Sequence, residues 1–392
     1  MLRGALTITL LNLAEIPKRI GASLVVVIGI AGVVGVLISV LAMADGFLNT
    51  MERTGRPDRA IVLRGGSNSE LASTLSRDAT LAIMDGPGVK ADESGHAIAS
   101  AEMVTIVELP LRQSGTAANV TLRGVGPAAG RLRPDIRIVA GRAFQPGLRE
   151  VVVGKNAMTQ FSGIDLGSRV ALRDSEWTVV GVFDSDDSHG SEIMADVDTL
   201  SAAYRRTLFQ SVTVLLDDPG RFDAYKSALE HDPRLSVEVV REPAYYARLS
   251  EQLGRILTFV AYTVGGIMAL GALFGALNTM YSAVSSRSIE IATLRALGFG
   301  AGAILISVFT EAVLLSLLGA VIGAVAAWAF FNGNVVNSLG GNFTQVVFHL
   351  RVSATLVTTG ILWAVVIGLL GGLFPALRAV RRPVVEALRG AG

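Results

Sequence analysis

The amino-acid sequence predicts a membrane α-helical fold with four transmembrane helices and a large extracytoplasmic α+β domain inserted between helices 1 and 2. Of its 392 residues, 51% are hydrophobic and only 17% are charged, against roughly 25% charged residues in a soluble domain. Four apolar stretches reach the about 20 residues that a helix needs to cross a bilayer. Residues 45–255, between the first and second stretches, contain only short hydrophobic runs interrupted by turn residues. An ordinary soluble enzyme is therefore not the expected class.

The four stretches are expected to span the membrane as helices, because a helix satisfies its backbone amides internally, as lipid requires. The predicted spans are residues 20–44, 256–280, 304–331 and 352–374. The first is longer than the apolar part of a cleaved signal peptide, so we expect it to be retained. The third contains Glu311, the only acidic or basic residue in the four predicted spans.

The predicted orientation follows from the lysine and arginine residues, which resist translocation. They concentrate in the N-terminal amphipathic segment 1–19, in residues 281–303 and in the tail 375–392. The short loop 332–351 carries only Arg351. We therefore expect both ends of the chain in the cytoplasm and the inserted domain on the other side of the membrane.

The inserted domain is expected to mix strands and helices. Short apolar runs bounded by turn residues predict six strands, at Ala60–Leu63, Val104–Leu109, Val120–Leu122, Glu150–Val153, Arg169–Leu172 and Trp177–Phe183. Polar residues 173–176 predict a turn that joins the last two strands as a hairpin. Helical spacing of apolar residues predicts three helices, at Leu71–Met84, Val197–Tyr204 and Arg221–His231. After Pro243 the helical spacing continues into the second span, which predicts one unbroken helix.

The sequence contains no recognisable catalytic or cofactor-binding pattern. The absence of cysteine excludes disulfides, thiolate zinc sites and cysteine nucleophiles. The only Gly-Lys pair, Gly154-Lys155, has Arg149 where a phosphate-binding loop needs Gly, and Asn156 where it needs Ser or Thr. The acidic segment 184–189 lacks the Gly and the distal Glu of a calcium loop and is expected to be a solvated turn. We therefore expect no catalytic residue, metal or cofactor in this chain.

Glu311 has two interpretations. An ionisable side chain within a membrane is costly unless it is paired or hydrated, and such residues often serve proton relays or contacts between helices. Glu311 also lies near the cytoplasmic end of its span, where local water or a neighbouring arginine would satisfy it. The sequence alone leaves both interpretations open.

Three of the predicted spans contain two glycines four residues apart, a spacing that allows helices to approach closely. These pairs are Gly271 and Gly275, Gly319 and Gly323, and Gly368 and Gly372. Their occurrence on three spans favours a tightly packed bundle over a wide pore.

The segment between the second and third spans predicts a short amphipathic helix. Its candidate docking residues are Arg287, Glu290, Ile291, Leu294, Arg295 and Gly298. On a helix, Ile291, Leu294 and the aliphatic part of Arg295 form one stripe, and Gly298 is placed to end the helix. Such a helix suits either a groove on another protein or the lipid headgroups, and the pattern does not separate the two.

Several segments resemble the MacB/FtsX-type ABC transporter permeases. Residues 287–298 are similar to the family signature R-x-R-E-I-G-x-x-R-A-L-G, and residues 311–319 match its E-A-x-L-L-S-L-L-G element. In the inserted domain, residues 151–154 and 177–183 are similar to the V-V-x-G and F-T-V-V-G-V stretches. Residues 375–389 resemble the P-A-x-x-A-x-x-x-D-P-V-E-A-L-R ending. The matches follow the order of the family over most of the chain.

The sequence departs from the family pattern at three places. Ile289 stands where a second Arg is usual, Ala292 where Gly is usual, and Pro383-Val384 where Asp-Pro is usual. These changes make the docking segment less basic, and they fall where contact with a partner is expected.

The resemblance implies a permease subunit without a nucleotide site of its own. A separate cytoplasmic ATPase would carry ATP and Mg and would engage residues 287–298, and a second permease copy, most simply an identical chain, would pair through the spans. Movement of the docking helices would shift the membrane helices and would open or close the periplasmic domains on cargo. The implied location is the bacterial inner membrane, with the large domain in the periplasm.

Several functions remain open from the sequence. The permease would export a small molecule or peptide through a periplasmic adaptor and an outer-membrane duct, or extract a lipoprotein or lipid from the outer leaflet, or regulate a cell-wall hydrolase without cargo. A membrane sensor or scaffold without an ATPase would share the topology but would leave the docking segment unexplained. An intramembrane enzyme using Glu311 would lack a second acid, histidine or metal ligand.

Overall fold

The computed structural model describes residues 20–185, 187–339 and 344–381. The predicted N-terminal segment 1–19 and the end of the predicted tail, residues 382–392, lie outside the described residues, as does Asp186 of the acidic turn. The chain divides into two compact units. The inserted domain consists of Gly46–Arg255 together with Val335–His349, and the helical unit contains the other described residues.

The described residues form ten helices and twelve strands. The helices are α1 (Ile20–Arg53), α2 (Arg77–Met84), α3 (Ala129–Leu132), α4 (Lys155–Gln160), α5 (Val197–Ala203), α6 (Phe222–Glu230), α7 (Glu242–Ser286), α8 (Ser288–Ala296), α9 (Ala301–Phe331) and α10 (Ala354–Arg381). The strands are β1 (Arg59–Arg64), β2 (Ala99–Pro110), β3 (Ala117–Val125), β4 (Arg137–Gly141), β5 (Glu150–Gly154), β6 (Arg169–Leu172), β7 (Ser175–Asp184), β8 (Glu192–Asp196), β9 (Ser211–Leu215), β10 (Val237–Arg241), β11 (Val335–Leu339) and β12 (Gln345–His349). Short 3-10 turns occur at Glu70–Ala72, Ser188–Ser191 and Pro219–Arg221.

Four helices of the described chain, α1, α7, α9 and α10, are long and apolar enough to cross a membrane. The helices α1, α7 and α9 contain the first three predicted spans, and α10 begins two residues after the predicted start of the fourth, which confirms the fold class. The helix α7 is unbroken over 45 residues, as the spacing after Pro243 predicts. The helix α10 runs past the predicted end of the fourth span to Arg381 and includes Pro375, which removes one backbone hydrogen bond from the helix.

The helical unit has an apolar core to which α1, α9 and α10 contribute most of the buried side chains. Ile30 and Val34 of α1 are fully buried, and small residues such as Ala320 of α9 and Ala364 of α10 pack against the same core. The most apolar window of α7 is only 11% buried, against 39–44% in the other three helices. Within a single copy of the chain, α7 is therefore the most exposed of the four.

The inserted domain is built on a ten-stranded sheet of the described residues, in the order β10-β1-β9-β2-β3-β8-β5-β7-β4, with β6 paired to β7. The β3–β8 and β5–β7 pairs are parallel, and the other neighbours are antiparallel. The long strand β2 pairs with β9 through residues 99–102 and with β3 through residues 103–110. The strand thus joins a small lobe, containing β10, β1 and β9, to a large lobe, containing β3 to β8.

Each lobe has its own hydrophobic core. In the small lobe, Ile83 of α2 and Tyr225 of α6 pack against Val212 and Val214 of β9. In the large lobe the core includes Trp177 of β7, which is fully buried. The two cores form separate clusters of buried residues, and the half-buried Ala101 of β2 packs against both.

All six strands predicted from the sequence are present, within β1, β2, β3, β5, β6 and β7. The β6–β7 turn is shorter than predicted: Ser175 and Glu176 already pair with β6, because Arg173 takes a left-handed φ of 54°. The helix predicted from residue 71 begins only at Arg77, where the hydroxyl of Ser76 accepts from the amide of Ala79 and so caps the first turn. The preceding residues form a 3-10 turn and extended chain instead.

The predicted loop 332–351 contains the antiparallel hairpin β11–β12. The hairpin belongs to the inserted domain. Phe348 is buried and meets the ring of Phe47 edge-to-face at 5.6 Å, and the amide of Val347 donates to the hydroxyl of Ser191 at 3.0 Å. The inserted domain is therefore assembled from two separate parts of the sequence.

Candidate docking helix and buried charged cluster

The candidate docking residues lie on and around α8, between α7 and α9. The helix ends as the sequence predicts: Gly298 has a φ of +93°, and the amide of Phe299 donates to the carbonyl of Leu294 at 3.1 Å. This is a Schellman arrangement, which Gly adopts without strain because it has no Cβ. The C-terminal end of α8 is therefore fixed by the backbone itself.

One face of α8 is open. Ile289 is 47% exposed and Leu297 is 72% exposed, with Glu290 and Thr293 exposed on the same side. Residues three and four positions apart are neighbours on a helix surface, so these four side chains form a continuous patch. We call Ile289, Glu290, Thr293 and Leu297 the open face of α8.

The predicted apolar stripe of α8 is turned partly inward. Ile291 packs against a cluster formed by the adjoining ends of α7, α9 and α10. Arg295 donates from Nη1 to the carbonyl of Val380 on α10 at 3.0 Å, and Leu294 is half-buried. Of the candidate docking residues, Glu290 and Gly298 are the exposed ones, and Arg287 is the buried one.

Arg287, at the start of α8, pairs with Glu311 of α9. Their Nη1 and Oε2 atoms lie 3.4 Å apart, and both residues are less than a tenth exposed. They border a cavity of about 30 Å³ whose other walls are largely apolar. This pairing corresponds to the interpretation in which a neighbouring arginine satisfies Glu311, and it ties the beginning of α8 to the third membrane-crossing helix.

The predicted packing glycines differ in their surroundings. A Cβ added at Gly319 would lie 2.8 Å from the carbonyl oxygen of Val27, and one at Gly323 would overlap the carbonyl oxygen of Ala31, so both glycines bring α9 against the backbone of α1. A Cβ added at Gly368 of α10 would overlap the side chain of Ser316 on α9, and one at Gly372 would lie 2.7 Å from the Cβ of Ala312.

Around Gly271 and Gly275, on α7, a Cβ would meet no atom of the described chain within 4 Å. The close packing among α1, α9 and α10 therefore does not extend to the face of α7 that carries these two glycines, although Ala276 on another face packs in the same core.

The acidic segment 184–189 is not the solvated turn that the sequence predicts. Ser188 and His189 are buried, and His189 Nδ1 lies 3.0 Å from Asp187 Oδ2. The prediction was wrong because the segment joins two buried strands, and its composition does not reveal what packs over it. In the part of the chain that the structure describes, no three metal-ligating side chains come together.

A buried charged cluster lies where the two lobes of the inserted domain meet. Arg123 of β3, 2% exposed, is surrounded by three carboxylates. Its guanidinium nitrogens lie 2.7 Å from Glu192, 2.8 Å from Glu70 and 2.8 Å from Glu102. These acids come from β8, from the turn after β1 and from β2, so one guanidinium holds both lobes.

Two more arginines extend the cluster to the start of α7. Arg59 Nε lies 2.8 Å from Glu242 Oε2. Arg133 contacts Glu102 and lies 3.6 Å from the other oxygen of Glu242. We call these residues and those around Arg123 the charged cluster. The charged cluster lies at the junction between the small lobe and the large lobe.

Three members of the charged cluster, Glu102, Arg123 and Arg133, are held in their charged forms although they are buried. Burial alone would raise the pKa of Glu102, but Arg133 and Arg123 beside it lower that pKa to about 2. Burial would lower the pKa of Arg123, whereas Glu192 and Glu70 raise it well above its ordinary value. A buried ion is tolerated only when partners of opposite charge surround it, and here Arg123 has three such partners and Arg133 has two.

Sequence reasoning did not identify the charged cluster. Its members are scattered over strands and turns, and a strand pattern predicts direction but not which distant residue lies opposite. One signal was available: Arg123 and Glu102 each stand in an apolar run of a strand, where a charged side chain requires a partner.

The comparisons with known families agree with this architecture. Residues 23–232 match the MacB-like periplasmic core domain, and residues 262–384 match the FtsX-like permease C-terminal domain. Four membrane-crossing helices with an inserted α+β domain and this pair of domains define a membrane permease. The chain belongs to the MacB/FtsX-type ABC transporter permease family.

Curated relatives are similar over different parts of the chain. The macrolide export ATP-binding/permease protein MacB 1 of Aeromonas hydrophila is 24% identical over 93% of this chain and 57% of its own length. The uncharacterized ABC transporter permease MJ1507 of Methanocaldococcus jannaschii is 26% identical over 58% of each chain. The permease YknZ of Bacillus subtilis is 29% identical over 34% of this chain and 32% of its own length. The chain thus spans less than two thirds of these relatives.

Two solved structures are similar to the chain at low identity. The extracellular domain of YknZ from Gram-positive bacteria covers 47% of this chain and 100% of its own, with 16% identity and a TM-score of 0.36. The periplasmic region of MacB from Actinobacillus actinomycetemcomitans covers 54% of this chain and 97% of its own, with 13% identity and a TM-score of 0.37.

Proposed function

We propose that this permease works with a separate cytoplasmic ATPase and relays ATP hydrolysis to its inserted domain, for export or extraction of cargo from the periplasm or the outer leaflet. The observation that carries this proposal is α8, a short helix between two membrane-crossing helices that presents an open face. Its start is tied to α9 by the Arg287–Glu311 pair, and its last turn is tied to α10 by the hydrogen bond from Arg295 to the carbonyl of Val380. A helix attached to its neighbours at both ends should transmit a displacement by the ATPase to the membrane-crossing helices instead of bending.

The ATPase and its ATP and Mg are assigned to a partner in this proposal. The Aeromonas relative carries "ATP-binding/permease" in its name, and this chain covers 57% of that protein. The open face of α8 combines two large apolar side chains with Glu290. Interfaces commonly rely on such a mixture of apolar anchors and a polar contact.

The location follows from the same assignment. With α8 in the cytoplasm, the cationic segments lie on the cytoplasmic side, as the positive-inside rule requires, and the inserted domain lies in the periplasm. We propose the bacterial inner membrane. The Aeromonas relative is named for macrolide export; an adaptor and an outer-membrane duct are the partners that this form of export would add.

Reversing the charge of Glu290 and making Leu297 charged should release the ATPase. In the double variant Glu290→Lys and Leu297→Asp, we expect the ATPase that co-purifies with the unaltered chain from its native membranes to be recovered at least about tenfold less, because two central interface contacts are lost. The measurement is quantitative mass spectrometry of the tagged chain in mild detergent. The matched control is Glu176→Lys, the same charge reversal at an exposed residue of the inserted domain, which should retain the ATPase fully.

The outcomes of this experiment separate two errors. If the unaltered chain captures no ATPase, the proposed function is wrong and a sensor or scaffold is favoured. If the double variant captures as much as the control, the chain has an ATPase partner but α8 is not its docking helix. Capture of an adaptor favours export, whereas capture of an acylated protein favours lipoprotein extraction.

We also propose that a second copy of the chain covers α7. A Cβ at Gly271 or Gly275 would meet no atom of the described chain within 4 Å, and Phe274 between them is 68% exposed. Small residues on a membrane helix allow a second helix to approach closely. A homodimer pairing through α7 would bury this face.

Cross-linking tests the pairing directly, because the natural chain has no cysteine. The variant Phe274→Cys should form a disulfide-linked dimer when membranes are oxidised, since a disulfide needs Cβ atoms only about 4 Å apart. The control Val325→Cys, on α9 and 58% exposed, should stay monomeric. Equal cross-linking at both positions would indicate random collision and would refute an interface on α7.

A further inference from the structure

The 3-10 turn Ser188–Ser191 contacts several separate elements of the inserted domain. The hydroxyl of Thr54, just after α1, accepts from the amide of Ser188 at 3.1 Å. The hydroxyl of Ser191 accepts from the amide of Val347 on the β11–β12 hairpin. The turn itself is capped by Asp187, whose carboxylate accepts from the amide of His189. Between these contacts, His189 reaches α7.

The first turn of α7 holds both lobes through one helix face. Glu242, Tyr245 and Tyr246 lie three and four residues apart, so their side chains project in similar directions. Glu242 binds Arg59 of the small lobe, and the hydroxyl of Tyr245 accepts from the amide of Glu70 at 2.9 Å. Tyr246 provides the contact with the large lobe. The same helix continues without a break to Ser286.

The large-lobe contact is made by a buried histidine. His189 is 1% exposed, and its Nε2 lies 3.2 Å from the hydroxyl of Tyr246, while its Nδ1 lies 3.0 Å from Asp187. The two rings meet edge-to-face at 5.7 Å. As the imidazolium, His189 donates to both partners; as the neutral ring it donates to Asp187 and accepts from Tyr246. Loss of the proton thus removes the ion pair with Asp187 and turns the contact with Tyr246 from a charge-assisted into a neutral hydrogen bond, which is roughly half as strong.

The charged groups around His189 favour the protonated form. Burial would lower the pKa of His189, but Asp187, and further off Glu192, raise it above 6.5, while Arg133 opposes them. On the elements that pack against the turn, α4 offers Lys155, which pairs with Asp184, and β12 offers only the exposed His349.

We propose that His189 is a positioning residue that fastens the large lobe to α7, and that this hold weakens when His189 loses its proton. The proposal rests on the proposed function for its meaning, because a lobe held by α7 moves with that helix. In a periplasmic location the inserted domain would experience the pH of the surroundings. The contact between α7 and the large lobe would then be stronger at acidic pH and weaker at alkaline pH.

Hydrogen exchange of the full-length chain in lipid nanodiscs, without any ATPase, tests the proposal. A histidine with a raised pKa stabilises the contact fully below its ordinary value and loses that effect as the pH rises through the raised value. Between about pH 5.5 and about pH 8.5, and after correction for intrinsic rates, the amides of β8 and of the first turns of α7 should lose about fivefold in protection. Amides of the small-lobe core should not change.

Two variants make the result specific. His189→Gln keeps a group that reaches Tyr246 but has no charge, so the pH step should vanish. Asp187→Asn can still cap the turn, and it should move the midpoint of the step to lower pH, which a purely structural contact would not do. The matched control His96→Gln changes a histidine whose side chain is 81% exposed and should leave the step intact.

A pH step that persists in His189→Gln, or a midpoint that Asp187→Asn leaves in place, would overturn the proposal. If His189→Gln does not fold, the Asp187→Asn midpoint decides alone. Because no ATPase is present, failure here together with successful ATPase capture would refute only the role of His189, whereas failed capture would leave this result unaffected.

Discussion

Replacing Arg123 with Met should lower the unfolding temperature of the inserted domain by on the order of 10 °C. The substitution leaves Glu70, Glu102 and Glu192 buried without the guanidinium that they share. Breaking a buried ion pair costs about 3–5 kcal/mol, and each kcal/mol corresponds to about 2–4 °C for a domain of this size. Differential scanning calorimetry of the full chain in detergent measures the shift, and hydrogen exchange in β3 and β8 assigns it to the inserted domain.

The matched control is Arg142→Met. Arg142 pairs with Glu150 through both of its terminal nitrogens, but its side chain is 49% exposed, and an exposed pair contributes at most about 1 kcal/mol. Adding Glu70→Gln and Glu192→Gln to Arg123→Met should recover part of the loss, because fewer unpaired charges remain buried. If Arg123→Met shifts the transition no further than Arg142→Met, the charged cluster does not stabilise the junction between the lobes.

Replacing Gly323 with Leu should prevent correct packing of the helical unit. Even the Cβ of an alanine would overlap the carbonyl oxygen of Ala31. Overpacking typically costs about 1–3 kcal/mol, and here the cost should be higher because the obstructing atom belongs to a helix backbone and cannot rotate away. We expect most of the protein to be lost from the monodisperse peak in size-exclusion chromatography of detergent-solubilised membranes, with Gly323→Ala showing a smaller loss.

Gly302→Leu provides the comparison on the same helix. At Gly302 an added Cβ meets no atom within 4 Å, and leucine is a good helix former, so the yield should equal that of the unaltered chain. An equal loss in Gly302→Leu would mean that bulk on α9 interferes with insertion generally. A normal yield of Gly323→Leu would show that α1 and α9 do not pack as closely as described.

The spans and the six strands β1, β2, β3, β5, β6 and β7 could be predicted because their signals are local, whereas β4, β8, β9 and β10 were not predicted. A run of apolar residues without charge predicts a membrane helix whatever surrounds it, and the β6–β7 hairpin brings together residues that are close in sequence. The β11–β12 hairpin was missed because its strands are short and lie in a connection between two spans. What folds it is burial of Phe348 against Phe47, residues that are far apart in the chain.

In the candidate site, too, the features set by neighbouring residues could be predicted, and those set by tertiary packing could not. The end of α8 at Gly298 was predictable, because a capping glycine acts on its own helix. The open face was not: the periodic pattern identifies Ile291 and Leu294 as one stripe, but only the packing of α7, α9 and α10 decides that this stripe faces inward. The sequence predicts His189 to be part of a solvated turn because nothing near it in the sequence indicates its contact with Tyr246.

The β11–β12 hairpin has a practical consequence for anyone who wishes to study the inserted domain by itself. A recombinant fragment cut at residues 46 and 255 would lack both strands, would uncover Phe47 and would leave the hydroxyl of Ser191 without the amide of Val347. We expect such a fragment to aggregate in solution. Grafting residues 335–349 onto its end through a flexible tether would restore the missing edge and give a better antigen or crystallisation sample.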